Sequence, residues 1–304
     1  MAEIDLVVPY VDSSDPNWQK LFDKYNPIKD IEIEAINAKN RFRGQGDFFK
    51  YWFRCVDKYL HWIHKIHFIV QSESQIPSWL DRSKVNIVYH KDFIPEEYLP
   101  TFNSTTIEMF LWNIKDLSEY FLYANDDIFP FGKLRPEYFF NFVKNKVKNN
   151  TSPITVKPGC IMYVKHCLNS YNLAYNKNLK EESMILPAFK HDLRPYIRSE
   201  MEAHFKANEK EILSKLSSFR ENKNINVYYF SHCLIRDGLQ EPRIDIKSRL
   251  INSNTSDVDG KMILNSGCNI LAINDTDPNI NIYEKFYLNN YFHNNFTFKS
   301  KYEL

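Results

Sequence analysis

The sequence predicts an α/β fold built on a mainly parallel sheet, and two observations carry that prediction. Short, nearly all-apolar runs at residues 4–8, 65–71, 85–89 and 120–124 suit strands covered on both faces. Between them lie stretches with amphipathic helical spacing, so the order is strand, helix, strand, strand, helix, strand through residue 124.

Residues 4–8 (IDLVV) open the chain as a strand, and PYVDSSDPNW after them reads as a turn that contains Asp12 and Asp15. Residues 19–40 are polar and weakly patterned, a loop with some helix. In RFRGQGDFFKYWFRCVDKYLHW, Phe48, Phe49, Trp52, Phe53, Val56, Tyr59, Leu60 and Ile63 form one broad face, which predicts a buried helix. Arg43, Lys50 and Arg54 stand before or along it. Cations near a helix start do not help its dipole, so a bound anion is one reason for them and a solvated surface is the other.

Two strands follow at residues 65–71 and 85–89, with a turn into a short helix at 76–80 between them. His90 ends the second and reads as a structural hydrogen-bonder.

Residues 99–131 (LPTFNSTTIEMFLWNIKDLSEYFLYANDDIFPF) organise the chain. Ile107, Phe110, Leu111, Ile114 and Leu117 share a helical stripe, and Thr105 with Glu108 has capping-box spacing. The apolar strand 120–124 then delivers Asn125, Asp126 and Asp127 to its carboxyl end, where open α/β sheets bind ligands. Adjacent hard oxygen donors suit Mg²⁺ or Mn²⁺ bridging to a diphosphate; a solvated turn is the simpler alternative.

From Pro136 the pattern weakens. Residues 137–150 predict a helix giving way to a Lys/Asn-rich loop. The chain after Pro195 is helical in composition as far as Arg220, with His191 just before it. Residues 226–238 fit a strand or a buried helix equally. NILAIND, residues 269–275, is strand-like and ends in Asn274 and Asp275.

Composition narrows the classes. At 304 residues with 43% hydrophobic and 25% charged residues the chain is globular, and a net charge of +1 gives no general attraction to nucleic acid. Five scattered cysteines without a CxxC pair argue against zinc or disulfides and for reduced thiols. The strand pattern begins at once and no apolar run reaches the roughly 20 residues of a membrane helix, so the expectation is a cytoplasmic protein without a signal peptide.

VPYVDSSDPNW, FFKYWFRCVDKYLHWIHKIHFIV with QIPSWL, and YLPTFNSTTIE…LSEYFLYANDDIF together resemble the Stealth proteins. These are bacterial capsular-polysaccharide phosphotransferases related to the animal N-acetylglucosamine-1-phosphotransferase. Thinner matches at Lys190-His191, Phe219-Arg220, 273–275 and 300–303 extend the resemblance over nearly the whole chain. It implies a nucleotide-sugar transferase (GT-A-like) core with a helical insertion. One catalytic domain is then expected over 1–304, with a mostly helical subdomain at 141–230.

The implied reaction passes a sugar 1-phosphate from a UDP-sugar to an acceptor hydroxyl, forming a phosphodiester and releasing UMP; conventional glycosyl transfer would release UDP instead. The resemblance implies an oligo- or polysaccharide acceptor, free or lipid-linked, assembled at the inner membrane face, and with it peripheral association there. Oligomeric state is not implied.

On this reading Asp126, Asp127, Asn274 and Asp275 are metal ligands for Mg²⁺ or Mn²⁺. His191 or Asp127 is the base, Arg220 clamps phosphate, and Asp12 joins the metal or the donor. Arg43, Lys50, Arg54, Asn103, Ser104 and Asn125 contact substrate. The chain departs from the family pattern at Gly44, where an Asp is usual, and at Tyr10 and Ser13.

Overall fold

The computed structural model describes residues 2–26, 37, 39–42, 44–244, 246–275, 277 and 279–304. Among these, the first strands and helices are β1 (Ile4–Pro9), α1 (Pro16–Tyr25), α2 (Phe49–Tyr59), β2 (Ile66–Val70), β3 (Asn86–Tyr89), α3 (Ser104–Met109) and β4 (Tyr120–Tyr123). Next come β5 (Ile128–Pro130), β6 (Phe140–Asn141), β7 (Lys146–Lys148), β8 (Thr151–Val156), α4 (Met162–Ala174), β9 (Met184–Phe189) and β10 (Arg194–Ile197). The rest are α5 (Arg198–Ala207), α6 (Glu209–Ser214), α7 (Tyr228–Arg236), β11 (Gln240–Glu241), β12 (Ser248–Asn252), α8 (Asp257–Leu264), β13 (Ile270–Asn274) and α9 (Phe286–Asn295).

The main sheet has the order β10-β4-β1-β2-β3, with β4, β1, β2 and β3 parallel and β10 antiparallel at one edge. The predicted α/β class with a mainly parallel sheet is therefore what forms. Strand order reverses between β1 and β4: the chain first builds outward through β2 and β3, then crosses back. The crevice outside the carboxyl ends at such a reversal is where open sheets hold ligands. Asp12 follows β1 and Asn125-Asp126-Asp127 follow β4, so both stand at that crevice.

The core runs from Ile4 to Tyr302 as one apolar cluster. Helix α2 buries Phe49, Trp52, Phe53, Cys55 and Val56 as its stripe predicted, and Trp52 Nε1 donates to the Ile128 carbonyl at 2.8 Å, locking α2 onto β5. A second aromatic cluster joins Trp18, Phe22, Phe42, Phe102 and Phe219, tying α1 to the 217–224 loop. All five cysteines are buried and unpaired. No helix among the described residues is long and apolar enough to cross a membrane.

Several local expectations change. The stripe residues 107–117 are all buried, but the α-helix stops at Met109 and a 3₁₀ turn, Leu111–Asn113, follows. Thr105 is not the cap. Asn103 Oδ1 accepts from the Thr105 amide at 3.1 Å, and Glu108 points into the interior instead. Residues 137–150 form the β6–β7 hairpin rather than a helix, because alternation buries Phe140 and Val147. The ambiguous 226–238 segment is helical as α7. Residues 141–230 hold α4, α5 and α6, and also β8 and β9 paired as a two-stranded sheet and β10 in the main sheet.

Candidate active site

Strand registers assemble the site. Antiparallel β10 sets Arg194 opposite Tyr123 and Pro195 opposite Leu122. Continuing that register past the strand ends brings residue 191 back to the turn after β4. There His191 Nε2 lies 2.8 Å from both carboxylate oxygens of Asp127. The two side chains are 31% and 16% exposed, so the pair is reachable but partly shielded. Nδ1 of His191 faces no partner among the described residues, leaving that nitrogen for chemistry.

The next residue secures this arrangement. Asp192 is buried, accepts from Arg243 Nη2, and accepts from Ser248 Oγ at 2.6 Å. Arg243 Nη1 also donates to the Leu193 carbonyl at 3.1 Å. The turn that carries His191 is thus pinned from below by a buried ion pair.

A second return brings the C-terminal part of the chain to the same place. β13 runs antiparallel to β5, and the Ile273 amide donates to the Asp127 carbonyl at 2.8 Å. Asn274 and Asp275 therefore arrive beside Asp126 and Asp127. Asp275 accepts from Ser253 Oγ at 3.3 Å. The buried Tyr283 phenol, whose pKa burial pushes up, is raised further by Asp127, Asp126 and Asp275, so the three carboxylates share one neighbourhood.

Asp126 is strongly perturbed by its surroundings. Burial first, and the adjacent Asp127 charge second, push its pKa up to about 8. Asp12 approaches from β1. The Tyr10 phenol is pushed up by burial and then by Asp12 and Asp126. Asp12 is oriented by its own loop: its amide donates to Gln75 Oε1 at 2.7 Å, and its Oδ1 accepts from the Ser14 amide at 2.8 Å. Gly44 is forced by this packing, since a Cβ there would lie 2.9 Å from Asp12 Cβ and Cγ. That gives a physical reason for the departure at Gly44.

Cations approach from the other side. Arg194 is buried, its guanidinium carbon 4.8 Å from the Tyr228 ring centre and 5.9 Å from that of Tyr123. Its Nη2 donates to Tyr228 Oη at 3.1 Å, and Nη1 reaches Asn125 Oδ1 at 3.5 Å. Glu108, buried and with a raised pKa, accepts from Tyr123 Oη at 3.0 Å and from the Val227 amide at 3.0 Å. Burial raises it, and Arg194 and Arg220 both counter that rise, so the two arginines flank it. Arg220 lies in a loop, not at a helix end, and its Nη2 donates to Ser104 Oγ at 3.2 Å.

The comparisons decide the family. The profile described as Stealth protein CR2, conserved region 2, matches residues 41–148. A capsular polysaccharide phosphotransferase of Actinobacillus pleuropneumoniae is 34% identical over 266 residues, covering 81% of this chain and 69% of its own length. One from Streptococcus pneumoniae is 30% identical over 308 residues, covering 90% of each chain. This chain belongs to the Stealth family. A receptor polysaccharide phosphotransferase of Streptococcus oralis is a further relative, 30% identical over 312 residues, with 90% of this chain and 91% of its own length covered.

Within this Stealth protein the structure brings together His191, Asp127, Asp126, Asp275 and Asn125, with Asp12 and Asn274 at the same crevice, while Arg220 is bonded to Ser104 on α3. Other expected contacts are spent elsewhere. Arg54 donates Nε and Nη2 to Glu303 at 2.8 and 2.7 Å and Nη1 to the Phe296 carbonyl, so it fastens the C-terminal segment and has no fork left for phosphate. Lys50 pairs with Asp47 at 3.0 Å and lies over Trp79. Asn103 is fully buried, capping α3 and donating to Ser217, Phe219 and Asn224, so it shapes the wall without reaching substrate. Ser104 is occupied by Arg220. Arg43 lies outside the described residues.

Arg194 and Asp192 were not singled out by sequence. Their signal was present in HDLRP beside His191, but an arginine in a strand reveals its burial only once its partners are in place.

Burial and the adjacent Asp127 charge both disfavour the ionised form of Asp126, as two neighbouring carboxyls without compensating charge do. Among the described residues no three His, Cys, Asp or Glu side chains are grouped to cage a metal ion.

Proposed function

We propose that this chain is a sugar-1-phosphate transferase. It moves a hexose or N-acetylhexosamine 1-phosphate from a UDP-sugar to a hydroxyl of a growing capsular or surface polysaccharide, and UMP leaves. The relatives' names support phosphate transfer to a polysaccharide. The observation that carries the reading is the His191–Asp127 pair set beside a second, half-buried carboxyl at the strand-order reversal. The order β3-β2-β1-β4 with an antiparallel edge supports a nucleotide-sugar transferase (GT-A-like) core.

In this mechanism His191 Nδ1 takes the acceptor hydroxyl proton while Nε2–H stays on Asp127, which orients the ring and offsets the imidazolium charge. The hydroxyl oxygen bonds to the sugar-bearing phosphorus, and the bond from that phosphorus to the UMP oxygen breaks. Arg220 and Arg194 counter negative charge on the transferred phosphoryl oxygens. Asp126, Asp275 and Asn274 would hold Mg²⁺ or Mn²⁺, whose role when bound is to neutralise the diphosphate, while both oxygens of Asp127 serve His191. Asp12 and Asn125 line the donor side. The acceptor is an oligo- or polysaccharide, lipid-linked at the inner membrane face.

Incubation with UDP-GlcNAc, Mg²⁺ and an oligosaccharide acceptor, followed by nucleotide chromatography, tests the reading. UMP with a phosphodiester product is expected; UDP in its place overturns it.

A further inference from the structure

One short stretch ahead of α2 touches three charged groups that come from distant parts of the chain. Asn37, fully buried, bonds the backbone of Arg220 twice: its Nδ2 donates to the Arg220 carbonyl at 3.1 Å, and its Oδ1 accepts from the Arg220 amide at 3.0 Å. Phe42 meets the same residue, with its ring centre 5.9 Å from the Arg220 guanidinium carbon. The Phe42 carbonyl accepts from the Ser13 amide at 2.9 Å, and Gly44 lies so close to Asp12 that a Cβ would meet its Cβ and Cγ at 2.9 Å. Gln45, only 6% exposed, donates Nε2 to the Asp126 carbonyl at 2.6 Å.

The kind of contact matters as much as the number. A side-chain amide that donates to and accepts from the main chain of one residue fixes its orientation as well as its position, because both bonds are directional. The Asp126 carbonyl belongs to the peptide that joins Asp126 to Asp127, so Gln45 orients the link between the two carboxyl groups. Phe42 and Gln45 are three residues apart, at most about 11 Å of extended chain. Arg220 and the carboxyl pair are therefore tied to neighbouring points of one segment.

That segment is anchored on both sides. Phe42 packs against Trp18 and Phe22, with ring centres 5.3 and 5.6 Å apart. After Gln45 the chain enters α2, which Trp52 bonds to the Ile128 carbonyl on β5. Neither end is free to slide, and β5 itself follows Asp127 directly.

We propose that Asn37, Phe42, Gly44 and Gln45 form a brace that positions Arg220 against the Asp126–Asp127 turn, so that the guanidinium and the carboxyl corner engage one diphosphate. This rests on the phosphotransfer reading above, which supplies the diphosphate, and adds Asn37 and Gln45 to it as positioning residues.

Two titrations on the folded protein test the brace without any turnover. Mn²⁺ binding is followed by electron paramagnetic resonance, and UDP and UMP binding by calorimetry at saturating Mg²⁺. Gln45→Met keeps the length of the side chain and loses the donor; it should weaken Mn²⁺ about tenfold, the worth of one hydrogen bond left unmade. Asn37→Ala should leave Mn²⁺ binding unchanged and weaken UDP about tenfold with UMP unaffected, because UMP lacks the phosphate that Arg220 faces. A merely structural role would lower the melting temperature and weaken all three ligands alike or none. Gln45→Met with Mn²⁺ affinity intact overturns the brace, whatever Asn37→Ala does to folding. UDP and UMP weakened equally by Asn37→Ala overturns it too. The expected pattern in an enzyme that releases UDP would keep the brace and remove the phosphotransfer reading.

Discussion

If His191 and Asp127 act as one unit, removing either should disable the same step. Asp127 presents two oxygens to His191 Nε2, both at 2.8 Å, so it acts there as an acceptor only. Asp127→Asn turns one oxygen into an amide donor facing a donor. The imidazole then shifts its proton to Nδ1, the nitrogen that must receive the acceptor's proton. A positioned general base contributes about 10²–10⁴ in rate, or about 3–5 kcal/mol of barrier. His191→Ala and Asp127→Asn should each lose that much in single-turnover UMP release at saturating donor. The double variant should be no slower than His191→Ala within about threefold, because the second change removes nothing still working. A double variant as slow as the product of the two single losses refutes the pairing. It would place Asp127 in a separate role, holding metal or donor.

Three further outcomes follow from other parts of the molecule. Arg54→Met should leave donor KM and kcat unchanged and lower unfolding free energy by about 3 kcal/mol in urea denaturation, because it strands Glu303, only 3% exposed; a selective rise in donor KM would return Arg54 to the site. Asp126, pushed up to about 8 by burial and Asp127, should release close to one proton when Mn²⁺ binds at pH 7. Titration heats should then vary with buffer ionisation enthalpy, and Asp126→Asn should abolish that dependence; identical heats across buffers contradict it. Asp5 is fully buried and accepts from His64 and His67, both at 2.9 Å, and from the Ser118 amide at 2.8 Å. Burial alone would raise its pKa, but these bonds outweigh it and hold the pKa below the usual value. A depressed folded pKa means the stabilisation is complete above about pH 4 and is lost as pH falls through the folded value. Melting temperatures of wild type should therefore drop below pH 4 more steeply than those of Asp5→Asn, and parallel profiles would contradict the linkage.

The sheet strands were legible because local chemistry sets them: residues 4–8 and 120–124 cannot be solvated as apolar runs, and the helical stripe from Phe49 to Val56 has one place to go. The Asn-Asp-Asp turn and His191 were legible as types at motif positions. What could not be read was which charged side chains are already paired. Arg54 and Arg194 look alike in sequence, yet Glu303 lies 249 residues from the first and Tyr123 71 residues from the second. Whether a guanidinium is spent depends on such distant partners. Asn103 misled for the same reason, since its amide serves a loop more than a hundred residues away. The hairpin at 140–148 was missed because its strands are too short to show alternation against a Lys/Asn-rich background.

The reacting groups hang from strand ends, and that fixes their precision. His191 meets Asp127 because β10 pairs with β4 in one register, and Asp275 meets Asp126 because β13 pairs with β5 in one register. A slip of one residue in either ladder would send every side chain of that strand to the opposite face and separate the groups. Both registers are held by features unrelated to catalysis. Tyr196 is fully buried from β10, Ile270 and Leu271 from β13, and the Asp192–Arg243 pair stops the turn before β10 from sliding. Loss of that pair should therefore cost catalysis through the position of His191, although neither side chain is placed in contact with substrate. The core and the site are in this sense a single construction, with the apolar faces of the edge strands setting the distance across which a proton moves.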